Sequence, residues 1–125
     1  MGRRFLRSSK VYETDPVGGP PQEKYLNAVW KIETAIPAAE LLQKLLAIEN
    51  EMGRVRREKN GPRPIDLDIL FYGSEIIREL GLQAPHPRLH EREFVLKPLC
   101  DLAPDFVHPV LGKTIAVLYE DNQTA

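Results

Sequence analysis

The chain has 125 residues, room for one compact domain, and residues 1–125 are read as a single unit. With 42% apolar residues, 28% charged residues and a formal net charge of -1, the composition is that of an ordinary soluble globular protein and makes no whole-chain case for a nucleic-acid or membrane-surface binder. Cys100 is the one cysteine, which excludes an intrachain disulfide or a cysteine zinc cluster; no apolar run approaches a membrane span, Met1–Leu6 lacks a signal peptide's apolar core, and the cytoplasm is the expected compartment.

Phe5 to Thr14 is rich in strand-favouring residues and ends at Asp15-Pro16, where Gly18-Gly19-Pro20-Pro21 marks a loop. A second strand is expected over Tyr25–Thr34. Alternation places Leu26, Ala28, Trp30 and Ile32 on one face, and Tyr25, Asn27, Val29 and Lys31 on the other. A helix should begin at Pro37 and stop at Gly53, with Leu41, Leu45, Ile48 and Met52 as its buried stripe. Glu49 lies beside that stripe near the C-terminal end, where the helix dipole does not favour a carboxylate.

Arg54 to Pro64 reads as a basic loop carrying Arg54, Arg56, Arg57, Lys59 and Arg63. The apolar run from Ile65 to Phe71 follows as a third strand interrupted by Asp66 and Asp68. Gly73-Ser74-Glu75 turns the chain into a short hairpin arm with Ile76-Ile77. Short helical pieces are expected from Leu89 to Leu102, broken at Pro98, and a last helix over about Lys113–Glu120. The two long strands then lack a central partner, so the chain reads as a domain that begins one βα unit late.

The Asp66-Leu67-Asp68 pair carries most of the chemistry. Residues two apart on a strand share a face, so the two carboxylates repel each other and resist burial. A hard divalent cation would relieve that repulsion; two outward acids on a solvated strand end would also explain the tripeptide taken alone. The neighbouring basic loop, read alone, is a solvated face or a weak polyanion patch. Beside a metal-binding strand it fits the clamping of phosphoryl oxygens, where cations neutralise negative charge.

Among the eleven prolines, Pro62 and Pro64 flank Arg63, and Pro85 and Pro87 flank His86, so both side chains sit on stiffened backbone. His86, with Arg92 six residues on, is a candidate phosphate contact. His90 and His108 read as structural or incidental, and no paired His/Cys spacing supports zinc. Tyr25 beside Asn27 is either a strand face covered by loops or a stacking platform with an amide that reads a heterocycle's edge.

Four ordered blocks together resemble the 6-hydroxymethyl-7,8-dihydropterin pyrophosphokinases of folate biosynthesis. They are Tyr25-Leu26-Asn27-Ala28; Ile48-Glu49 with Gly53-Arg54-Val55-Arg56; Gly61-Pro62-Arg63-Pro64-Ile65-Asp66-Leu67-Asp68; and Pro85-His86-Pro87-Arg88 running to Arg92-Glu93-Phe94-Val95-Leu96. The resemblance implies an α+β fold, a ferredoxin-like α/β sandwich with an antiparallel sheet, lacking here the family's first βα unit with its Gly-Ser-Asn turn. It implies pyrophosphoryl transfer from ATP to the reduced pterin with release of AMP. ATP and the pterin are then the partners, with no nucleic acid or membrane.

By the same resemblance, Asp66 and Asp68 would bind two Mg²⁺ ions. Arg54 and Arg63 would join them in catalysis. Glu49, His86 and Arg92 would line the ATP site with those arginines. Thr14, Val17, Tyr25, Asn27 and Phe94 would form the pterin site, the ring stacking between Tyr25 and Phe94. The Thr14–Lys24 and Arg54–Pro64 loops would close over the substrates. Asn60 and Pro87 depart from the aromatic residues that some relatives carry at these places. A non-catalytic, nucleotide- or partner-binding remnant of the family is the alternative reading.

Overall fold

The computed structural model describes residues 3–14, 25–55 and 65–124, with the side chains of residues 3–5, 14, 25, 54 and 55 left aside. Its element order is β1 (Arg3–Ser8), β2 (Tyr12–Thr14), β3 (Tyr25–Asn27), β4 (Trp30–Thr34), α1 (Ala38–Val55), β5 (Ile77–Glu79), β6 (Leu82–Ala84), α2 (Glu93–Leu102) and α3 (Ile115–Thr124). A 3₁₀ turn, Leu89–Glu91, precedes α2. The architecture is α+β, and β1–β4, β2–β3 and β5–β6 all pair antiparallel, as the ferredoxin-like expectation requires. Among the described residues, no helix is long and apolar enough to cross a membrane.

Each of the two expected N-terminal strands is broken in two, and Ser9 supplies the reason. Ser8 pairs with Trp30 and Tyr12 with Asn27, so Ser9, Lys10 and Val11 oppose only Ala28 and Val29. That is a β-bulge, which bends the pair and raises its twist. Ser9 is 7% exposed. Its N–H donates to the Val29 carbonyl at 2.8 Å, and its Oγ accepts the Val29 N–H at 2.9 Å. The hydroxyl thus replaces a ladder carbonyl at the break.

Helix α1 starts directly after Pro37 and runs through Gly53 rather than stopping there. A glycine costs about 1 kcal/mol inside a helix, which two further residues tolerate. Of its expected stripe, Leu41 is buried and Leu45 half-buried, but Ile48 and Met52 are 36% and 41% exposed.

The Ile65–Leu70 segment corrects a second expectation, because it joins no strand ladder. Its side chains still alternate: Asp66 and Asp68 are exposed, whereas Ile65, Leu67 and Ile69 are half-buried. Extended backbone keeps the two-residue period without a ladder. The hairpin arm expected at Ile76-Ile77 is present as β5–β6, turning at Gly81, whose φ of 83° is a left-handed value that glycine adopts at no steric cost.

Helix α2 also overrides an expectation. It passes through Pro98 without a break, and the chain changes direction at Arg92 instead. Proline in a helix interior costs about 3 kcal/mol. Here Pro98 is itself sealed in the core with Leu96, Leu99 and Leu102, and each buried leucine returns about 1.5–3 kcal/mol. Helix α3 begins at Ile115, two residues later than expected, because Thr114 caps it: Thr114 Oγ1 accepts the Val117 N–H at 3.2 Å. Leu89, Leu96, Leu99, Ile115 and Leu118 form the main core, with Val29, Leu70, Phe71 and Phe106 packed against it.

Of the two alternatives, structural or incidental, His108 takes the structural one. It is 4% exposed, and its Nδ1 accepts the N–H groups of Val110 and Leu111 at 3.1 and 3.0 Å. Its ring meets the Phe71 ring edge-on, centroids 5.5 Å apart.

Candidate active site

The aspartate segment is held from both sides. Glu49 on α1 reaches across to it, its Oε2 accepting the Leu67 N–H at 2.5 Å. That bond grips the backbone between Asp66 and Asp68 and leaves both carboxylates facing outward. Further along, the Leu70 carbonyl accepts the His86 N–H at 2.8 Å, which brings the proline-flanked histidine alongside the segment.

A cleft of about 390 Å³ opens between α1, the aspartate segment and the β5–β6 hairpin. Leu42, Leu67, Ile69 and Leu82 give it apolar walls, and Asp68, Gln83 and His86 supply polar groups. That volume falls within the size range of small-molecule sites.

The electrostatics tie two sequence blocks together. Burial pushes the His86 imidazole below its ordinary pKa; Asp68 acts to raise it, and Arg92 and Arg88 act to lower it. The net direction keeps the ring neutral at physiological pH. His86 Nδ1 accepts the Arg88 N–H at 3.2 Å, so the neutral ring carries its proton on Nε2. Arg92 also lies over the Phe94 ring, its guanidinium carbon 5.8 Å from the centroid, a cation–π distance.

The structure therefore ties Glu49 to the aspartate segment through Leu67, sets Asp68 and His86 on the wall of one cleft, and places Arg92 over Phe94. Phe94 is 39% exposed and Asn27 on β3 is half-buried. Thr14 and Tyr25 are ladder partners in β2–β3, and Arg54 lies in the last turn of α1; the side chains of these three lie outside the described residues, as do Val17, Arg63 and the greater part of both expected closing loops. Gln83 and Leu42 were not singled out from the sequence. Gln83 alternates with two buried neighbours on a three-residue strand, which marks an outward side chain and nothing more specific.

Among the described residues, no three His, Cys, Asp or Glu side chains converge into a metal cage. Two exposed carboxylates on one face are a fitting donor set for Mg²⁺, which keeps waters and commonly completes its shell with phosphate oxygens.

Residues 1–104 match the 7,8-dihydro-6-hydroxymethylpterin-pyrophosphokinase family. The chain belongs to that family. It is 49% identical over 102 residues to the 2-amino-4-hydroxy-6-hydroxymethyldihydropteridine pyrophosphokinase of Synechocystis sp., an overlap of 82% of this chain and 52% of the relative. The enzyme of the same name from Haemophilus influenzae is 49% identical over 105 residues, covering 84% of this chain and 66% of the relative. The folic acid synthesis protein fol1 of Pneumocystis carinii is 48% identical over 119 residues, covering 95% of this chain but 16% of the relative. The chain thus spans about half the length of the Synechocystis relative and a small part of the fol1 protein.

Proposed function

We propose that this chain carries the pyrophosphoryl-transfer site of folate biosynthesis: the 6-hydroxymethyl oxygen of the reduced pterin attacks the β-phosphorus of ATP, the bond to the α-phosphate oxygen breaks, and AMP leaves. The observation that carries this reading is a cleft of ligand size lined by both Asp68 and His86, drawn from two separate blocks. Family membership supplies the substrate class.

Phosphoryl transfer leaves a protein little covalent work, so positioning and charge neutralisation dominate. Asp66 and Asp68 would hold Mg²⁺, two ions by the family's pattern. Bound there, the metal would offset phosphate charge and orient the ATP oxygens. Arg54, Arg63 and Arg92 would contribute fixed positive charge, and His86 a neutral Nε2–H donor to a phosphate oxygen. Glu49 acts through Leu67, holding the aspartate segment against α1. The pterin would stack between Tyr25 and Phe94 while Asn27 reads its amide edge, with Thr14 and Val17 alongside.

The test is AMP release by the pure chain with ATP, Mg²⁺ and 6-hydroxymethyl-7,8-dihydropterin. Pterin-dependent AMP is the expected product, and Asp66→Ala or Asp68→Ala should each lower its rate more than about a hundredfold. A folded chain that binds ATP and releases no AMP would overturn the enzymatic reading in favour of a nucleotide-binding remnant.

A further inference from the structure

The pterin slot proposed above has one wall on β3 and the other on α2, elements far apart in the chain. Tyr12 on β2 is the ladder partner of Asn27, and paired residues of an antiparallel ladder share a face. Both are half-buried, while the next pair, Glu13 and Leu26, is exposed. The Tyr12 and Asn27 face is therefore turned toward the body of the protein.

From that face the Tyr12 hydroxyl donates to Asp101 Oδ2 at 2.7 Å, and the same oxygen accepts the Lys10 N–H at 3.3 Å. Arg7 Nη2 donates to the Asp101 carbonyl at 3.3 Å. Lys97 Nζ stands 5.1 Å from the Tyr12 ring centroid. Phe94, Lys97 and Asp101 are spaced three and then four residues apart on α2, so they form one stripe of that helix. Tyr12 touches two members of the stripe. The third, one turn further on, is the slot wall Phe94.

We infer that Tyr12 and Asp101 are positioning residues for the pterin site, their hydroxyl–carboxylate bond setting the separation between Asn27 on β3 and Phe94 on α2. The inference rests on the pterin-site reading. Neither residue touches substrate; each acts through the wall beside it. A charged acceptor makes this bond shorter and stronger than a neutral pair would. The bond to Asp101, burial and the Asp101 charge all hold the phenol above its ordinary pKa, so the donor proton stays on Tyr12 at neutral pH.

Tyr12→Phe removes the hydroxyl and keeps the ring beside Lys97; Asp101→Asn keeps an accepting oxygen in the same shape. Pterin affinity, by direct titration of the chain with pterin and by KM, should weaken about tenfold in Tyr12→Phe. ATP affinity should change less than about twofold, because the cleft residues are untouched. Asp101→Ala should match Tyr12→Phe, Asp101→Asn should recover most of the loss, and the double variant Tyr12→Phe/Asp101→Ala should be no worse than either single change. Where Tyr12→Phe does not fold, the split between Asp101→Ala and Asp101→Asn decides the matter. Wild-type pterin binding that Tyr12→Phe and Asp101→Ala both leave intact overturns this inference alone, as does an equal loss of pterin and ATP affinity. A wild-type chain that binds no pterin and releases no AMP overturns the functional reading and this inference with it.

Discussion

In the core that begins at Leu89, the central apolar side chains are sealed, with Leu89, Leu96 and Ile115 at 0% exposed, although Val107, Val110 and Val117 stay at the surface. On β3, β4 and α1, side chains of similar size face outward, with Leu26 and Trp30 at 67% and Leu46 and Met52 at 41%. The C-terminal region is organised by close packing, which resists any change of volume. Directional bonds organise much of the N-terminal region: Ser9 with Val29, Glu49 with Leu67, Tyr72 Oη with the Ile36 carbonyl, and Tyr12 with Asp101. The candidate site lies where the two meet, with Arg92 and Phe94 at the start of the packed α2 and Asn27, His86 and the aspartate segment held by backbone hydrogen bonds.

Truncating the packed side should have the largest effect on stability. Leu96→Ala leaves a cavity beside Leu99 and Ile115 and should lower unfolding free energy by about 2–5 kcal/mol in a urea titration. A loss under about 1 kcal/mol would mean that the C-terminal core collapses around the gap, and the contrast between the regions would dissolve.

Glu49→Leu probes the directional side. It leaves the Leu67 N–H without this acceptor, and hydrogen bonds to charged groups are worth about 1.5–3 kcal/mol. We expect a smaller stability loss than for Leu96→Ala, together with weaker Mg²⁺-dependent ATP binding, read by titration calorimetry. Unchanged ATP binding would separate α1 from the aspartate segment.

His108 offers a pH handle on the packed side. Burial, with His90 acting the same way, holds its imidazole below the ordinary value. A base with a depressed folded pKa contributes stability above its unfolded value, about 6.5, and that contribution is lost as pH falls through the folded value. Melting temperature should therefore fall on acidification from about pH 7.5 to about pH 5, and His108→Asn should flatten that slope. An equally steep profile in the variant would assign the acid sensitivity elsewhere.

The smallest effect is expected on the exposed side of α1, where Leu46→Ser should change stability by no more than about 0.5 kcal/mol. A loss several times larger, in a titration repeated at two protein concentrations, would show that this surface is covered in solution.

What the sequence made legible follows from local physics. The outward pair Asp66 and Asp68 is visible in a two-residue alternation that survives without a ladder. The start of α1 after Pro37 is written in proline chemistry. Long-range compensation is not written locally. Pro98 reads as a breaker because its cost is local while its burial is tertiary. Ser9 is one polar residue in a strand-like run, and only the residue opposite it reveals a bulge. Family resemblance drew Glu49 to the nucleotide site, but its grip on Leu67 spans 18 residues, beyond any periodicity argument.

The Tyr12 bond to Asp101 also bears on the order in which the protein assembles. Its partners stand 89 residues apart, and closing a flexible loop of that length costs about 4 kcal/mol in chain entropy. A single hydrogen bond, even to a carboxylate, returns less than that. The bond can persist only once the helices around Leu96 and Ile115 have already drawn the two ends of the chain together. The contact between β2 and α2 should then be among the last features to form during folding.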